Sequence, residues 1–195
     1  MVNFWQIHVP KTGGVSLNSY AIENNLNWYC GGGHIGFSKS LYNLLYPKII
    51  LTVLRCPVEQ TRSFYGYLKK HNGTNQTFSE WLRNPETGYF GERWEKVWFP
   101  NFYVNYFGKE EYDDGPGVFD VAVNTLKIID YVFDTATLDY NFNNMLTKYN
   151  LPTFNLILNT SDKPEINKDD IDFIIKNRSA DFELCKMFNI QTNYK

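Results

Sequence analysis

The sequence predicts an α/β fold with a central, mainly parallel sheet flanked by helices. Strand-like and helix-like segments alternate along the chain, which is the pattern of layered α/β domains. One segment, residues 48–54, is a continuous apolar and β-branched run, typical of a strand buried on both faces of a parallel sheet. A chain of 195 residues with 43% hydrophobic residues can build one sizeable core, so we predict a single domain over residues 1–195.

The individual elements follow from local patterns in chain order, because apolar and aromatic runs predict strands and amphipathic runs predict helices. In the first half we predict a strand at 3–9, helices at 15–25 and 38–46, a strand at 48–54 and a helix at 58–70. The aromatic-rich segment 78–107 is predicted to be mostly helical, and the polar segment 108–117 to be a loop. In the second half we predict a strand at 130–134, a helix at 138–149, a strand at 154–159 and helices at 167–177 and 179–189.

Charge, cysteine spacing and hydropathy narrow the function classes. The chain has 19 Lys and Arg against 21 Asp and Glu, so its overall field does not favour nucleic acid or an anionic membrane. Three cysteines without a C-x-x-C pair favour a reducing compartment over a disulfide framework or a zinc site. No window approaches the ~18 apolar residues of a membrane span, and no targeting segment opens the chain. We therefore expect a cytoplasmic protein without nucleic-acid or membrane partners.

The stretch "IHVPKTGGVSLNSY" at 7–20 joins the first predicted strand to the first helix. Pro10 stiffens the exit from the strand, and the glycines allow several backbone N–H groups to surround one point at the helix N-terminus, which attracts an anion. Threonine and serine hydroxyls would add donors, and the lysine would add a mobile positive charge. The predicted binding residues are Lys11, Thr12, Gly13, Gly14, Val15 and Ser16. The alternative is a tight strand-to-helix turn with a surface lysine.

The stretch "LTVLRCPVEQTRSFYGYL" at 51–68 follows the apolar strand. Arg55 stands at the carboxyl end of that strand and Pro57 opens a helix, so the guanidinium is predicted to lie on the same sheet edge as the first loop. Ser63 comes two turns into this helix, and Arg55 and Ser63 together could hold a second phosphate through a fork of hydrogen bonds. The alternative is that Arg55 pairs with Glu59 on the surface and that Ser63 only packs.

Together the segments "PKTGGVS" and "LRCPVEQTRSFY" resemble the 5′-phosphosulfate loop and the 3′-phosphate segment of sulfotransferases that use 3′-phosphoadenosine-5′-phosphosulfate (PAPS). The resemblance is closest to the carbohydrate-type branch, which includes the heparan sulfate and uronyl 2-O-sulfotransferases. It implies a P-loop-like domain, PAPS as cofactor with adenosine 3′,5′-bisphosphate as its product, no metal, and an acceptor hydroxyl, with a glycan as one acceptor class. Lys11 precedes Gly13 and Gly14, whereas a loop for nucleoside triphosphates places its lysine after the glycines.

Three positions depart from the pattern of this family. Val15 stands where a threonine is usual, so one hydroxyl donor to the 5′-phosphate is missing. Cys56 replaces the usual aspartate and Gln60 the usual arginine. Since Arg55 and Ser63 remain, these departures bear on the strength of cofactor binding more than on its mode.

Sulfuryl transfer needs an aligned donor and acceptor, stabilisation of charge on the departing bridging oxygen, and removal of the acceptor proton. Lys11 suits the second task as a point charge beside the transferring group. The segment "YCGGGHIGFSKSL" at 29–41 resembles the G-H-x-x-[FY] stretch of the 2-O-sulfotransferases, which implies His34 as the general base. The weaker candidates for this base are His8, His71, Glu23 and Glu59.

Basic and aromatic residues are candidates for acceptor contacts. An acidic sugar could meet the cluster Arg62, Lys69, Lys70 and His71, although a solvated helix face is the alternative. Aromatic residues between positions 81 and 103 could stack on sugar rings, although their helix-like spacing favours core packing. Two other functions stay open, namely a P-loop kinase of small molecules that binds ATP with magnesium, and a catalytically silent PAPS-binding module.

Overall fold

The computed structural model of the chain describes residues 3–30, 49–71, 73–84, 100–109, 117–155 and 163–193. Within these ranges four parallel strands form one sheet in the order β2-β1-β3-β4. The strands are β1 (Phe4–Ile7), β2 (Trp28–Cys30), β3 (Ile49–Leu54) and β4 (Tyr131–Asp134). Because neighbouring strands run parallel, the chain must cross over the sheet between them, as in other α/β folds.

Helices fill the connections in the described part of the chain. They are α1 (Gly14–Glu23), α2 (Pro57–Lys70), α3 (Phe78–Arg83), α4 (Phe102–Gly108), α5 (Phe119–Lys127), α6 (Leu138–Lys148), α7 (Lys168–Asn177) and α8 (Ser179–Met187). A short 3₁₀ turn, Thr135–Thr137, lies between β4 and α6. None of these described helices is both long and apolar enough to cross a membrane.

Three neighbouring strands end at one edge of the sheet. The register pairs Ile7 of β1 with Thr52 of β3, and Leu54 of β3 with Asp134 of β4. The Thr52 hydroxyl also donates to the Ile7 carbonyl oxygen at 2.9 Å, which fixes β1 against β3 at this end. The segments that follow β1 and β3 therefore leave the sheet side by side, as expected for the binding edge of a parallel sheet.

Helices cover both faces of the sheet. On one face the side chains of Trp5, Ile7 and Val9 pack in a cluster with aromatic residues of α4, including Phe102. On the other face Phe4 belongs to a second cluster that joins β3 to α1 and α6. Truncating a fully buried aromatic side chain typically costs ~3–5 kcal/mol of unfolding free energy. These two clusters therefore stabilise the packing of the helices on the sheet.

The predicted α/β fold class is confirmed. The predicted strands at 3–9, 48–54 and 130–134 correspond to β1, β3 and β4. The helices predicted at 15–25, 58–70, 138–149, 167–177 and 179–189 correspond to α1, α2, α6, α7 and α8. The helices α3 and α4 lie within the segment 78–107 that is predicted to be mostly helical.

Besides the 3₁₀ turn, one described strand and one described α-helix have no counterpart among the predicted elements. Strand β2 has only three residues, all half-buried, so it shows no strand-like alternation that could be recognised. Helix α5 contains valines and threonine, which have low helix propensity, and it is held by packing of Ala122, Val123 and Leu126.

The strand predicted at 154–159 does not begin at its predicted start. Phe154 and Asn155 are not in a strand, because the Asn143 side chain bonds both the N–H (2.7 Å) and the carbonyl oxygen (2.9 Å) of Phe154. These two bonds occupy the backbone groups that a sheet partner would need. Residues 156–159 lie outside the described residues, as do the predicted helix at 38–46 and most of the predicted loop at 108–117.

Candidate functional site

The segment from His8 to Gly14, called the first loop below, joins β1 to the start of α1. Lys11 (φ 64°) and Gly13 (φ 98°) both lie in the left-handed region of backbone conformation, which glycine adopts readily and other residues seldom adopt. A Cβ atom added at Gly14 would overlap the side-chain nitrogens of His8 and Gln6. Both glycines are therefore needed for this path of the backbone.

Side chains from several elements hold the carbonyl oxygens along the first loop. These donors come from the sheet, from the residue after β3, from α2, from α4, from the turn after β4 and, in one case, from the loop itself. The bonds are Tyr106 Oη to His8 O (2.7 Å), Thr12 Oγ1 to Val9 O (2.9 Å), Gln60 Nε2 to Pro10 O (2.9 Å), Arg55 Nη1 to Lys11 O (3.4 Å), Thr135 Oγ1 to Thr12 O (2.6 Å) and Gln6 Nε2 to Gly14 O (2.8 Å). The carbonyl groups of the loop are thus directed towards protein donors.

With these carbonyl oxygens bonded, the backbone N–H groups at the end of the first loop and the start of α1 are the candidate donors for a ligand, although the Ser16 N–H already donates to the Gly13 carbonyl oxygen at 3.1 Å. The first N–H groups of an α-helix have no carbonyl partner within the helix, and α1 begins at Gly14. Left-handed residues alternating with other conformations make a concave cluster of N–H groups, to which the helix dipole adds positive potential. The first loop therefore has the geometry of an anion site, and a phosphate group has the matching charge and acceptors.

The predicted hydroxyl donors of the first loop have different surroundings. Thr12 is fully buried and its hydroxyl donates to the Val9 carbonyl oxygen, so its contribution to a ligand would come from its backbone N–H. Ser16 is half-buried in the first turn of α1. Val15 is 55% exposed, so a valine side chain borders the anion site where a hydroxyl could stand.

Arg55 brings the second motif into contact with the first loop. Its Nη1 atom lies 3.4 Å from the Lys11 carbonyl oxygen, and its Nη2 atom lies 3.4 Å from Glu59 Oε2. The Tyr103 hydroxyl accepts from the Arg55 N–H at 3.3 Å and donates to the Arg55 carbonyl oxygen at 2.7 Å, which fixes the backbone at this point. The predicted approach of Arg55 to the first loop and the alternative pairing with Glu59 therefore occur together.

Glu59 is a carboxylate that pairs with three basic side chains. It pairs with Arg62 Nη1 at 2.8 Å and with Lys163 Nζ at 2.7 Å, besides Arg55. Burial would raise the pKa of Glu59, but the hydrogen bonds and charges of Lys163 and Arg62 outweigh it and keep the pKa below its ordinary value. A carboxylate held in its charged form by three cations is a poor proton acceptor at neutral pH.

Ser63 lies on the face of α2 that contacts the first loop. Residues 60, 63 and 67 share one helix face, because they are three and four positions apart. Gln60 contacts Pro10, and the Tyr67 ring contacts Lys11. Ser63 lies between these two contacts along α2 and is 8% exposed, so it is on the side of the helix that packs against the loop.

Lys11 places its ammonium group beside Tyr67 and near the positive charges of Arg55 and Lys70. Its Nζ atom lies 4.4 Å from the centroid of the Tyr67 ring. Burial lowers the pKa of Lys11, and the nearby positive charges of Arg55 and Lys70 lower it further. The same three causes make a bound anion favourable, because an anion would offset the unfavourable concentration of positive charge.

A buried network around Arg178, which the sequence did not predict, supports the first loop through α2. Arg178, which is fully buried, donates to Gln60 Oε1 (2.8 Å), to the Pro57 carbonyl oxygen (3.0 Å) and to Asp181 Oδ2 (2.8 Å). Gln60 in turn donates to Pro10, so the guanidinium supports the loop through one intermediate side chain. Charged residues three apart at a predicted helix start usually indicate a solvated helix, so no sequence signal marked this pair.

The predicted general base, His34, lies outside the described residues. The alternative Glu23 is exposed at the end of α1, and the ten residues of that helix place it ~14 Å along the axis from the first loop. His8 lies in the loop itself. His71 follows the last residue of α2, and the centroid of its ring lies 4.4 Å from that of Tyr67. The described residues hold no group of three or more His, Cys, Asp or Glu side chains that could bind a metal ion.

Comparison with known proteins gives a similarity of fold. No protein-family model and no curated protein sequence matches this chain. The fold is similar to that of a solved sulfotransferase from Alicyclobacillus acidocaldarius, with a TM-score of 0.62 and 12% sequence identity over 98% of this chain and 97% of that chain. The similarity extends over nearly the full length of both chains, and at this identity it shows the fold.

Proposed function

We propose that this protein is a sulfotransferase that moves the sulfuryl group of PAPS to a hydroxyl group of an acceptor. The observation that carries this proposal is the first loop, in which protein donors hold the carbonyl oxygens and two left-handed residues precede the N-terminus of α1, a geometry that suits an anion. The fold similarity to a sulfotransferase supports it. The resemblance of "PKTGGVS" and "LRCPVEQTRSFY" to the carbohydrate branch favours a carbohydrate as the acceptor class.

The chemistry of the described residues fits the two anionic ends of PAPS. The first loop and Lys11 would hold the 5′-phosphosulfate, through N–H groups and one ammonium. Arg55 and Ser63, which lie beside the loop, would hold the 3′-phosphate, since a guanidinium can donate two parallel bonds to one phosphate. The 18% exposure of the Arg55 side chain leaves it partly accessible to a ligand.

When bound, PAPS supplies a sulfuryl group whose bond to the bridging phosphate oxygen breaks as a bond to the acceptor oxygen forms, so that adenosine 3′,5′-bisphosphate leaves. Lys11 would stabilise the negative charge that develops on that bridging oxygen, because an ammonium in a partly buried site acts strongly on nearby charge. His34 would take the proton of the acceptor hydroxyl. The N–H groups of the first loop would keep the donor in a fixed orientation.

The departure at Gln60 has a structural explanation that is compatible with PAPS binding. Gln60 is fully buried and joins Arg178 to the Pro10 carbonyl oxygen. A guanidinium is thus present behind the loop, although it comes from residue 178 and not from residue 60. The missing hydroxyl at Val15 has no such substitute among the described contacts, so Val15 is the departure expected to weaken binding.

Calorimetry with adenosine 3′,5′-bisphosphate, AMP and ATP tests the proposal. We expect the bisphosphate to bind much more tightly than AMP or ATP, because Arg55 and Ser63 contact only the 3′-phosphate. Arg55→Ala should weaken bisphosphate binding by ~1.5–3 kcal/mol, about 10- to 150-fold, while AMP affinity should change little. Arg55→Lys is the matched variant, because it keeps the charge and loses the fork of donors.

Three outcomes would overturn the proposal. Equal affinities for the bisphosphate and AMP would exclude the cofactor assignment, and magnesium-dependent ATP binding would favour the kinase alternative. Selective bisphosphate binding without sulfuryl transfer to any hydroxyl in a panel of glycans, phenols and alcohols would favour the silent binding module.

A further inference from the structure

We propose that Tyr67 is a positioning residue for Lys11, and that its ring holds the ammonium group beside the first loop while the sulfuryl group is transferred. The inference rests on the proposed function. It assigns to α2 a second task besides presenting Ser63, namely supporting the cation that stabilises the leaving group.

The contact between the two side chains has the geometry of a cation–π interaction. The Lys11 Nζ atom lies 4.4 Å from the Tyr67 ring centroid, and such contacts are effective within about 6 Å. The ring is itself supported, because the ring of His71, the residue that follows α2, lies 4.4 Å away between centroids with an interplanar angle of 46°. Tyr67 is half-buried, so packing limits the orientations of its ring.

Lys11 needs such support because, among the contacts within the described ranges, its other anchor is through the backbone. Its carbonyl oxygen is held by Arg55, but the four-carbon side chain has about 2 kcal/mol of rotamer entropy to lose on ordering. Burial and the charges of Arg55 and Lys70 also favour movement of the ammonium towards solvent. The face of an aromatic ring attracts the cation and so opposes both effects.

A ring is better suited to this task than a carboxylate. A carboxylate would neutralise the charge that has to stabilise the bridging oxygen, whereas a ring leaves the full positive charge in place. An ammonium group has three N–H donors, and one ring face can contact only one side of it, so donors remain for a ligand. The nearby carboxylate Glu59 pairs with Arg55, Arg62 and Lys163 instead.

Steady-state kinetics with Tyr67→Leu and Tyr67→Phe test the role. Tyr67→Phe keeps the ring face and should stay within about 2-fold of wild-type kcat, whereas Tyr67→Leu should lower kcat about 3- to 10-fold, the range of a partly desolvated cation–π contact. Bisphosphate affinity should change less than kcat. Tyr140→Leu is the matched control, because Tyr140 is 72% exposed on α6 and should have no effect.

A double-mutant cycle separates positioning from a general structural effect. If Tyr67 acts through Lys11, Tyr67→Leu should have no further effect on kcat in a Lys11→Ala background. An equal loss in both backgrounds would overturn the proposal, because Tyr67 would then act independently of Lys11.

NMR on protein carrying ¹³C-labelled lysine gives a readout that does not depend on turnover. Protons above a ring face are shifted upfield, so the Lys11 Hε signal, assigned by its loss in Lys11→Ala, should be shifted in the free protein and in the bisphosphate complex. Tyr67→Phe should keep the shift and Tyr67→Leu should remove it. Loss of the shift on bisphosphate binding would overturn the proposal. If the turnover of Lys11→Ala is too slow for the double-mutant cycle, this NMR result decides the question alone. Absence of bisphosphate binding would overturn the proposed function as well, whereas normal binding with an additive cycle would overturn the role of Tyr67 alone.

Discussion

At the scale of single residues, Lys11 combines a functional gain with a cost in stability. Its pKa is lowered by burial first and then by Arg55 and Lys70, from an ordinary value of 10.5. Between the lowered value and 10.5 the unfolded chain binds more protons than the folded one, so the free energy of unfolding rises with pH in this window. Below it, the charged lysine opposes folding until an anion binds.

Lys11→Met should therefore raise the melting temperature of the ligand-free protein at neutral pH. The substitution keeps the length of an apolar stem and removes the charge that burial and Arg55 disfavour. It should also weaken bisphosphate binding. At 100 times the wild-type Kd, bisphosphate stabilises the wild-type protein by ~2.7 kcal/mol, and Lys11→Met should lose this stabilisation at the same bisphosphate concentration. Thermal unfolding with and without bisphosphate checks both effects. Lys127→Met, at the end of α5, is the control, and equal effects of the two variants would contradict the prediction.

The second prediction at this scale concerns His34, which lies outside the described residues. If His34 removes the acceptor proton, His34→Ala should lower kcat by ~10²–10⁴-fold and leave bisphosphate binding nearly unchanged. The wild-type rate should fall as pH decreases through the pKa of the imidazole, because the protonated ring cannot accept a proton. Pre-steady-state and steady-state rates measured across pH check this, and a variant that keeps both its rate and the acid limb would show that the base is elsewhere. Glu59 would then be a weak substitute, because three cations hold it charged.

At the scale of elements, α4 aligns the ends of two strands. Tyr106 donates to the carbonyl oxygen of His8 after β1, and Tyr103 donates to that of Arg55 after β3. Residues three apart on a helix rise ~4.5 Å, which matches the ~4.8 Å between neighbouring strands. Burial raises the pKa of both tyrosines, so these hydroxyls remain donors at alkaline pH.

Tyr103→Phe and Tyr106→Phe should each lower the free energy of unfolding by ~0.5–1.5 kcal/mol, because each removes a hydroxyl donor from a part-buried backbone carbonyl group. Tyr103→Phe should also weaken bisphosphate binding, since the Arg55 backbone loses both of its bonds to Tyr103. Urea unfolding and calorimetry measure the two effects. Tyr140→Phe is the exposed control. Unchanged stability in both buried variants would show that other groups or water replace these donors.

At the scale of the whole molecule, the sequence predicts the fold and the parts of the site that lie in contiguous segments. The apolar run of β3 and the glycines of the first loop have strong local patterns, and Arg55 follows from its place after a strand. The structure adds contacts from distant segments, for which no local pattern exists. Tyr103, Tyr106 and Arg178 have the spacing of ordinary helix residues, and their roles depend on the strand order.

The two motifs also show where a sequence interpretation is incomplete. At Gln60 the sequence shows the loss of a usual arginine, but the structure gives this residue a contact with Pro10 and another with Arg178. At Thr12 the sequence favours a ligand contact for the hydroxyl, but the hydroxyl donates to Val9. Side-chain direction decides both cases, and direction depends on packing that a single segment does not encode.

The bond between Arg178 and Gln60 joins residues 118 positions apart in the chain, and it has a consequence for synthesis on the ribosome. The first loop is made early, but the residue whose guanidinium supports it is made only after β4, α6 and α7 have been synthesised. A nascent chain that ends before residue 178 has the residues of the anion site without their support. Such long-range contacts also slow folding, so the ability to bind an anion should arise late, when α7 docks onto α2 and Arg178 reaches Gln60.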